Sequence, residues 1–205
     1  VTDTAPEVRG GFPEVKPLDG PPELGRFVAA MRRLQDLTVS INPDGSTWAA
    51  AAEQVDAVCA SLEGHQVPEL SAPAGRVIDL PGLGHPLLPP WTVTGSGVDG
   101  VIMTGHFTRS HVGGNSAVHG GMIPLCYDWL CGMVVSTAGI PPTRTAYLHV
   151  DYRNITPIEQ TLTARGRITK TEGRKIFIAA TMTSAEGTLL SEADALMVRL
   201  LPHQP

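Results

Sequence analysis

The chain has 205 residues, of which 22 are Gly and 18 Pro, far more of these two than the roughly 12% of an average protein. General disorder is excluded as the explanation, because 42% of residues are apolar and only 17% charged, enough apolar surface to fill a core. The net charge of -5 argues against general nucleic-acid binding, and the longest apolar stretch, residues 122–135, is too short to span a bilayer and is broken by Asp128.

Residues 1–20 carry Asp3, Glu7, Arg9, Glu14, Lys16 and Asp19 without an apolar run, which is not the pattern of a signal peptide. The Gly and Pro surplus is uneven, with 9 in residues 1–25 and 13 in residues 64–100, so it marks two connectors outside the packed segments. Between them Leu24, Phe27, Val28, Met31, Leu34 and Leu37 recur at helical spacing. After the turn Asn42-Pro43-Asp44-Gly45, Ser46 is expected to cap a second helix. That helix places Trp48, Ala51, Val55, Val58 and Leu62 on one face and is expected to stop at a left-handed Gly64. Residues 23–63 therefore read as an amphipathic helical pair, and their 3 basic against 6 acidic residues argue against a helix-turn-helix DNA reader.

Beyond the second connector the period changes to two, with Val101, Met103, Gly105 and Phe107 alternating with Ile102, Thr104 and His106 as in a strand. A loop over residues 109–118 leads to residues 119–135, apolar nearly all round, the pattern of a helix buried on every side, which ends near Gly139. Strands are expected over 145–153, 161–171, 175–184 and 189–200, with turns at Glu172-Gly173 and Glu186-Gly187. The class is α+β: five or six antiparallel strands in a curved sheet around one central helix, with another layer covering the helix. Residues 1–75 form an N-terminal extension and 76–205 the main domain. Cys59, Cys126 and Cys131 are odd in number and lack a CxxC pair, so they are expected as core thiols of a cytoplasmic protein; the seven His show no metal spacing, and no metal is expected.

Asp128 is the most informative residue, because a carboxylate within an apolar helix is costly unless it is paired, protonated or faces a pocket. His119-Gly120-Gly121 opens the same helix, where free backbone N-H groups and the positive dipole end converge and two glycines let a ligand approach, as a carbonyl-polarising site requires. His119 is as suited to orienting the loop as to transferring protons. Asp128 lies seven residues beyond Gly121, about 10 Å along the axis, so two antiparallel copies would serve one reacting carbon better than one chain. This predicts a symmetric dimer with composite sites.

The run 113–121, Gly-Gly-Asn-Ser-Ala-Val-His-Gly-Gly, followed by Asp128, then residues 146–153, 172–175 and 191–193, resembles the hotdog-fold acyl-CoA thioesterases of the PaaI-like family over about residues 91–201. The resemblance implies a curved antiparallel sheet around one helix, dimers joined edge to edge, tetramers or larger assemblies, and hydrolysis of an acyl-CoA. It implies Asp128 as general base or nucleophile, the Gly120 N-H as carbonyl polariser, and Thr145 as a residue that helps position water, with His119 beside them. Gly121, Asn115, Gly113, Arg153, Asn154, Arg174 and Lys175 are the implied substrate contacts. Some relatives carry Asn or Gln six residues before the motif's His, where this chain has Gly113, with Asn115 two residues on. Residues 144–175 hold 7 basic against 3 acidic side chains in an acidic protein, a distribution suited to the phosphates of coenzyme A, which enters as part of the substrate and not as a cofactor. A hydratase on the same fold would carry a His five residues after Asp128, and Met133 stands there. A non-catalytic acyl-CoA sensor, with the N-terminal helices docking another protein, is the alternative of a different class.

Overall fold

Alternating apolar residues in the C-terminal half build one antiparallel sheet. The computed structural model describes residues 8–9, 12–13, 17–98 and 100–201. In chain order the elements are β1 (Val8–Arg9), β2 (Phe12–Pro13), α1 (Pro22–Thr38), α2 (Gly45–Leu62), β3 (Thr92–Gly97), β4 (Gly100–Gly105), β5 (Val112–Gly114), β6 (Ala117–Val118), α3 (Met122–Thr137), β7 (Thr143–Tyr152), β8 (Leu162–Glu172), β9 (Lys175–Ser184) and β10 (Leu189–Arg199). The main sheet has the order β3-β4-β8-β9-β10-β7, with every neighbouring pair antiparallel. The α+β arrangement of six strands and one central helix agrees with the sequence reading. β3 is the strand that reading left inside the second connector, because Thr-Val-Thr-Gly-Ser-Gly has neither an apolar alternation nor bulk.

One face of the sheet carries Val101, Met103, Ala164, Ile178, Ala180, Met182, Ala193 and Ala195, all buried against Ile123, Tyr127, Leu130 and Val134 of α3. Gly166 of β8 sits where a Cβ would lie 3.0 Å from both Leu130 and Val134, so α3 seats closely on the sheet at a residue with no side chain. The buried Tyr127 hydroxyl donates to the Ser191 carbonyl at 2.8 Å and lies 2.9 Å from its Oγ, satisfying the polar groups that this packing encloses.

Several expectations need correction. α3 is not covered on every side, since Asp128 and Ser136 are exposed and Leu125, Gly132 and Met133 only half-buried. Nothing among the described residues supplies the second layer. α2 is capped by Asp44, whose carboxylate accepts the Thr47 N-H at 2.8 Å, while Ser46 donates to that same carboxylate. Its C-cap is Glu63 in a right-handed conformation, and Gly64 continues into a 3-10 turn. No residue of α2 is buried, so Trp48, Val58 and Leu62 are exposed, and Cys59 is an exposed thiol while Cys126 and Cys131 are buried. The loop over 109–118 contains a 3-10 turn and the β5-β6 hairpin.

The second connector is also packed. Trp91 is fully buried, Val77, Gly82 and Gly84 are buried, and the Arg32 guanidinium of α1 donates to the carbonyls of Leu88, His85 and Pro81 at 2.7, 3.0 and 3.1 Å. Among the described residues no helix is long and apolar enough to cross a membrane. Most of residues 1–16 lies outside the described residues.

α1 reaches the loop ahead of α3. Asp36 accepts the Ser110 N-H at 2.9 Å, the Thr108 N-H donates to His111 Nδ1 at 2.8 Å, and the His111 carbonyl accepts the His119 N-H at 2.8 Å. Burial pushes the His111 ring below its ordinary 6.5, with Asp36 opposing and Arg32 and His106 reinforcing the shift. Burial alone would raise the Asp36 carboxyl, but hydrogen bonds from Thr108 and Ser110 outweigh it and hold it below 3.8. Both folded values are depressed, so as pH falls the unfolded chain takes up protons first. The His111 contribution is lost as pH falls from about 6.5 downward and the Asp36 contribution below about 4. The urea midpoint is therefore expected to fall between pH 7 and pH 5.5, and to fall less in His111→Asn. Equal pH profiles for the two proteins would contradict this account.

Candidate active site

The start of α3 is organised by His119. Its Nδ1 accepts the Gly121 N-H at 3.0 Å and its carbonyl accepts the Met122 N-H at 2.9 Å, so the ring acts as the cap that Gly121 lacks. The Gly120 N-H meets no acceptor among the described residues. A Cβ at Gly120 would touch nothing closer than Tyr152 Oη at 3.7 Å, so the fold itself does not require a glycine there. Gly113 differs: a Cβ would lie 2.7 Å from His119 Cα, and the bare backbone lets β5 cross beneath the helix entrance. Asn115, with Ser116, occupies the left-handed turn of the β5-β6 hairpin, at φ of 49° and 60°.

Gly120 opens onto a cleft of about 480 Å³ that is also lined by Ile123, Tyr152, Arg153, Asn154 and Thr156. Tyr152 Oη donates to the Gly120 carbonyl at 2.8 Å and so fixes the following peptide plane. Arg153 is held by Glu192 and Asp151, and Asn154 donates to the Leu189 carbonyl at 2.7 Å, so both implied contacts are positioned by their own chain. Thr156 was missed in the sequence. Only 4% exposed, it encloses an Oγ1 that has no partner among the described residues, while its carbonyl accepts the Val118 N-H at 2.9 Å and ties it to the strand leading into α3. Nothing in Ile155-Thr156-Pro157 signals this, since the position is set by pairing with a distant segment.

Asp128 lies on the open side of α3, where the Thr145 hydroxyl of β7 donates to its Oδ1 at 2.7 Å. The desolvation expected for it is absent within one chain, because its side faces outward. Its charge still acts locally: burial, and secondarily Asp128, push the Cys131 thiol up to about 12, leaving it a neutral core group. Arg174 donates to the Arg199 carbonyl at 3.0 Å and, with Lys175, lies at the end of the sheet where Val198 pairs with both Lys175 and Arg144. The structure thus brings Gly120, Arg153 and Asn154 together in one cleft and Asp128 with Thr145 in another group. Arg174 and Lys175 stay at the opposite end of the sheet from Arg153. Among the described residues no His, Cys, Asp and Glu group is arranged to hold a metal.

Residues 115–191 match the family model described as the Thioesterase superfamily. Over this segment, less than half of the chain, the sequence is similar to that family. Gly120, Asp128, Thr145 and Thr156 lie inside the matched segment, and Gly113 lies just before it. The chain is similar to acyl-coenzyme A thioesterase THEM4 of Rattus norvegicus, 37% identical over 89 residues, which is 43% of this chain and 38% of that protein. The match therefore spans little more than a third of the curated relatives' length. A crystal structure of a thioesterase superfamily protein is 25% identical with a TM-score of 0.76, covering 89% of this chain and 97% of that one, so its likeness extends through the N-terminal helices. A hypothetical thioesterase protein of Streptococcus pneumoniae, solved with coenzyme A, shares the fold at 18% identity and a TM-score of 0.51, covering 56% of this chain and 88% of that one.

Proposed function

We propose that the protein hydrolyses an acyl-CoA thioester to the free acid and coenzyme A. The observation that carries this reading is the Asp128 carboxylate, set on the open side of α3 by the Thr145 hydroxyl in a helix that is entered through Gly120, whose N-H meets no acceptor among the described residues. The Gly120 N-H would donate to the carbonyl oxygen and stabilise the negative charge that develops on it. Thr145 occupies Asp128 Oδ1 and leaves Oδ2 to take a proton from water as its oxygen attacks the carbonyl carbon, or to attack that carbon itself. In the first route the carbon-sulfur bond then breaks and coenzyme A leaves as a thiol with that proton; in the second it leaves as a thiolate, and water hydrolyses the acyl-Asp128 anhydride, giving the free acid, the regenerated carboxylate and the proton that the thiolate takes up. The chemistry uses only these groups and water.

A second copy completes the site in this reading. β7 is an edge strand with its outer side unpaired among the described residues, and the open side of α3 lies beside it. Antiparallel pairing of two β7 strands about a two-fold near their middle brings the Thr145 end of one to the Tyr152 end of the other. Asp128 of one protomer would then face the Gly120 cleft of its partner, with the acyl chain running along the interface past Met133. The coenzyme A bound to the Streptococcus pneumoniae protein and the name of the rat relative support the substrate class.

The test is thiol release by the purified chain from short, long and aromatic acyl-CoAs, with sedimentation measured in parallel. Release from at least one of them by a dimer is expected. Stabilisation by acyl-CoA with no release from any would overturn hydrolysis in favour of a binding protein. Tyr152→Phe removes the bond to the Gly120 carbonyl, and kcat is expected to fall about tenfold with KM little changed, the sign of lost transition-state alignment. An equal loss in KM alone would make Tyr152 a simple binding contact.

A further inference from the structure

The N-H of Gly120 belongs to the peptide that joins it to His119, so its direction follows from how His119 is held. Three bonds hold that residue. The His119 carbonyl accepts the Met122 N-H, its ring Nδ1 accepts the Gly121 N-H, and its own N-H donates to the His111 carbonyl at 2.8 Å. The first two lie within the entrance of α3. The third comes from outside, from the 3-10 turn Arg109–His111, so the placing of that turn decides how His119 enters the helix.

On one side of the turn Phe107 is fully buried, its ring 5.4 Å from that of Trp91 and 5.8 Å from that of His111; on the other the chain passes into the β5-β6 hairpin. Among the described residues, the side-chain tethers that reach the turn itself from distant segments are Glu159 and Asp36. Glu159 pairs with Arg109 at 3.0 Å, but both side chains are more than half exposed, and such a pair contributes little. Asp36, on α1 and 74 residues before Ser110, accepts the Ser110 N-H at 2.9 Å and is also bonded by the hydroxyls of Thr108 and Ser110. A charged acceptor on a half-buried backbone N-H is the stronger kind of hydrogen bond, so the α1 tether outweighs the Arg109 pair. Asp36 itself does not line the Gly120 cleft.

We propose that Asp36 is a positioning residue for thioester hydrolysis: α1 fixes the Arg109–His111 turn through the Ser110 N-H, and the turn aims the Gly120 N-H through the His111 carbonyl and His119. This rests on the reading of Gly120 as the carbonyl-polarising group. It gives the N-terminal extension a task in the reaction, because a donor misplaced by about 1 Å loses much of its hold on the transition state while the rest of the substrate binds as before.

The experiment is steady-state thiol release from an acyl-CoA that the wild type cleaves, paired with amide hydrogen exchange of the free full chain, for Asp36→Ala and Asp36→Asn. Asp36→Ala removes the acceptor. Its kcat is expected to fall about tenfold with KM within about twofold, and its His119 and Gly121 amides to exchange at least tenfold faster while those of β8 to β10 keep their rates. Asp36→Asn keeps an oxygen for the Ser110 N-H and is expected to bring both readouts back to within about threefold of wild type. A merely structural role would lower the melting temperature and leave kcat per folded molecule alone. Asp36 is only half-buried, so the Ala variant should fold. If it does not, Thr108→Val, which removes a hydroxyl bonded to Asp36 at nearly constant volume, is expected to give the same two changes.

The positioning role is overturned by a folded Asp36→Ala with wild-type kcat, by a loss of kcat without faster exchange at His119, or by equal losses in the Ala and Asn variants. Each of these leaves hydrolysis itself standing. Absence of thiol release by the wild type overturns hydrolysis and the positioning role together, so the two failures are told apart by the wild type alone.

Discussion

Asp128→Asn is expected to lower kcat for thioester hydrolysis about a thousandfold while leaving the fold intact, within the range that positioned acid-base groups contribute. The substitution is chosen for what it keeps. An Asn Oδ1 still accepts the Thr145 hydroxyl that now donates to Asp128 at 2.7 Å, so the β7-α3 contact survives and only the basic oxygen is lost. Because Asp128 is exposed in the chain, no buried charge is released and the melting temperature should stay put. Thr145→Ala should cost about tenfold and Thr145→Ser much less, since only the hydroxyl is needed to orient the carboxylate. Asp128→Asn activity within about threefold of wild type, with both proteins folded, would remove Asp128 from the chemistry.

Leu130→Ala is expected to destabilise the protein by about 3 kcal/mol, read as a shift in the urea midpoint at constant slope. Leu130 is fully buried in the layer between α3 and the sheet, so truncation leaves a void that neighbouring strands cannot fill without breaking pairing. Gly166→Ala stresses the same contact from the other side, placing a methyl 3.0 Å from Leu130 and Val134, and should cost about 1–3 kcal/mol as overpacking. In the double variant the methyl enters the space Leu130 has left, so the combined loss should be smaller than the two single losses together. A Leu130→Ala loss below about 1 kcal/mol would mean that α3 does not seat on the sheet as described.

How much of this was readable beforehand depended on whether a feature was local. β7 to β10 declared themselves by alternation and by glycine at their turns, and α3 by its length of apolar residues bounded by glycines. The cap of α2 was misplaced by two residues because Ser46 and Asp44 are both good caps, and only the geometry of the Thr47 N-H distinguishes them. The open side of α3 was hidden because Leu125, Gly132 and Met133 read as core by type, leaving Asp128 as the one cue that something polar belonged there. The cleft at Gly120 was half visible. Its helix entrance is a contiguous motif, whereas Thr156 arrives through pairing with a segment nearly forty residues earlier. The packing of the second connector was invisible in the same way, since Arg32 fastens it by reaching carbonyls some fifty residues away, and a carbonyl leaves no mark in a sequence.

The absence of any buried residue in α2 has a consequence for how the molecule opens. Melting that helix disrupts no part of the core cluster, so its free energy of opening is uncoupled from that of the sheet. Its amides should exchange with deuterium long before those of β8 to β10, and limited proteolysis should cut first in or beside it while the sheet remains whole. The chain would then present two cooperative units of unequal strength, joined through α1 and the tether at Arg32.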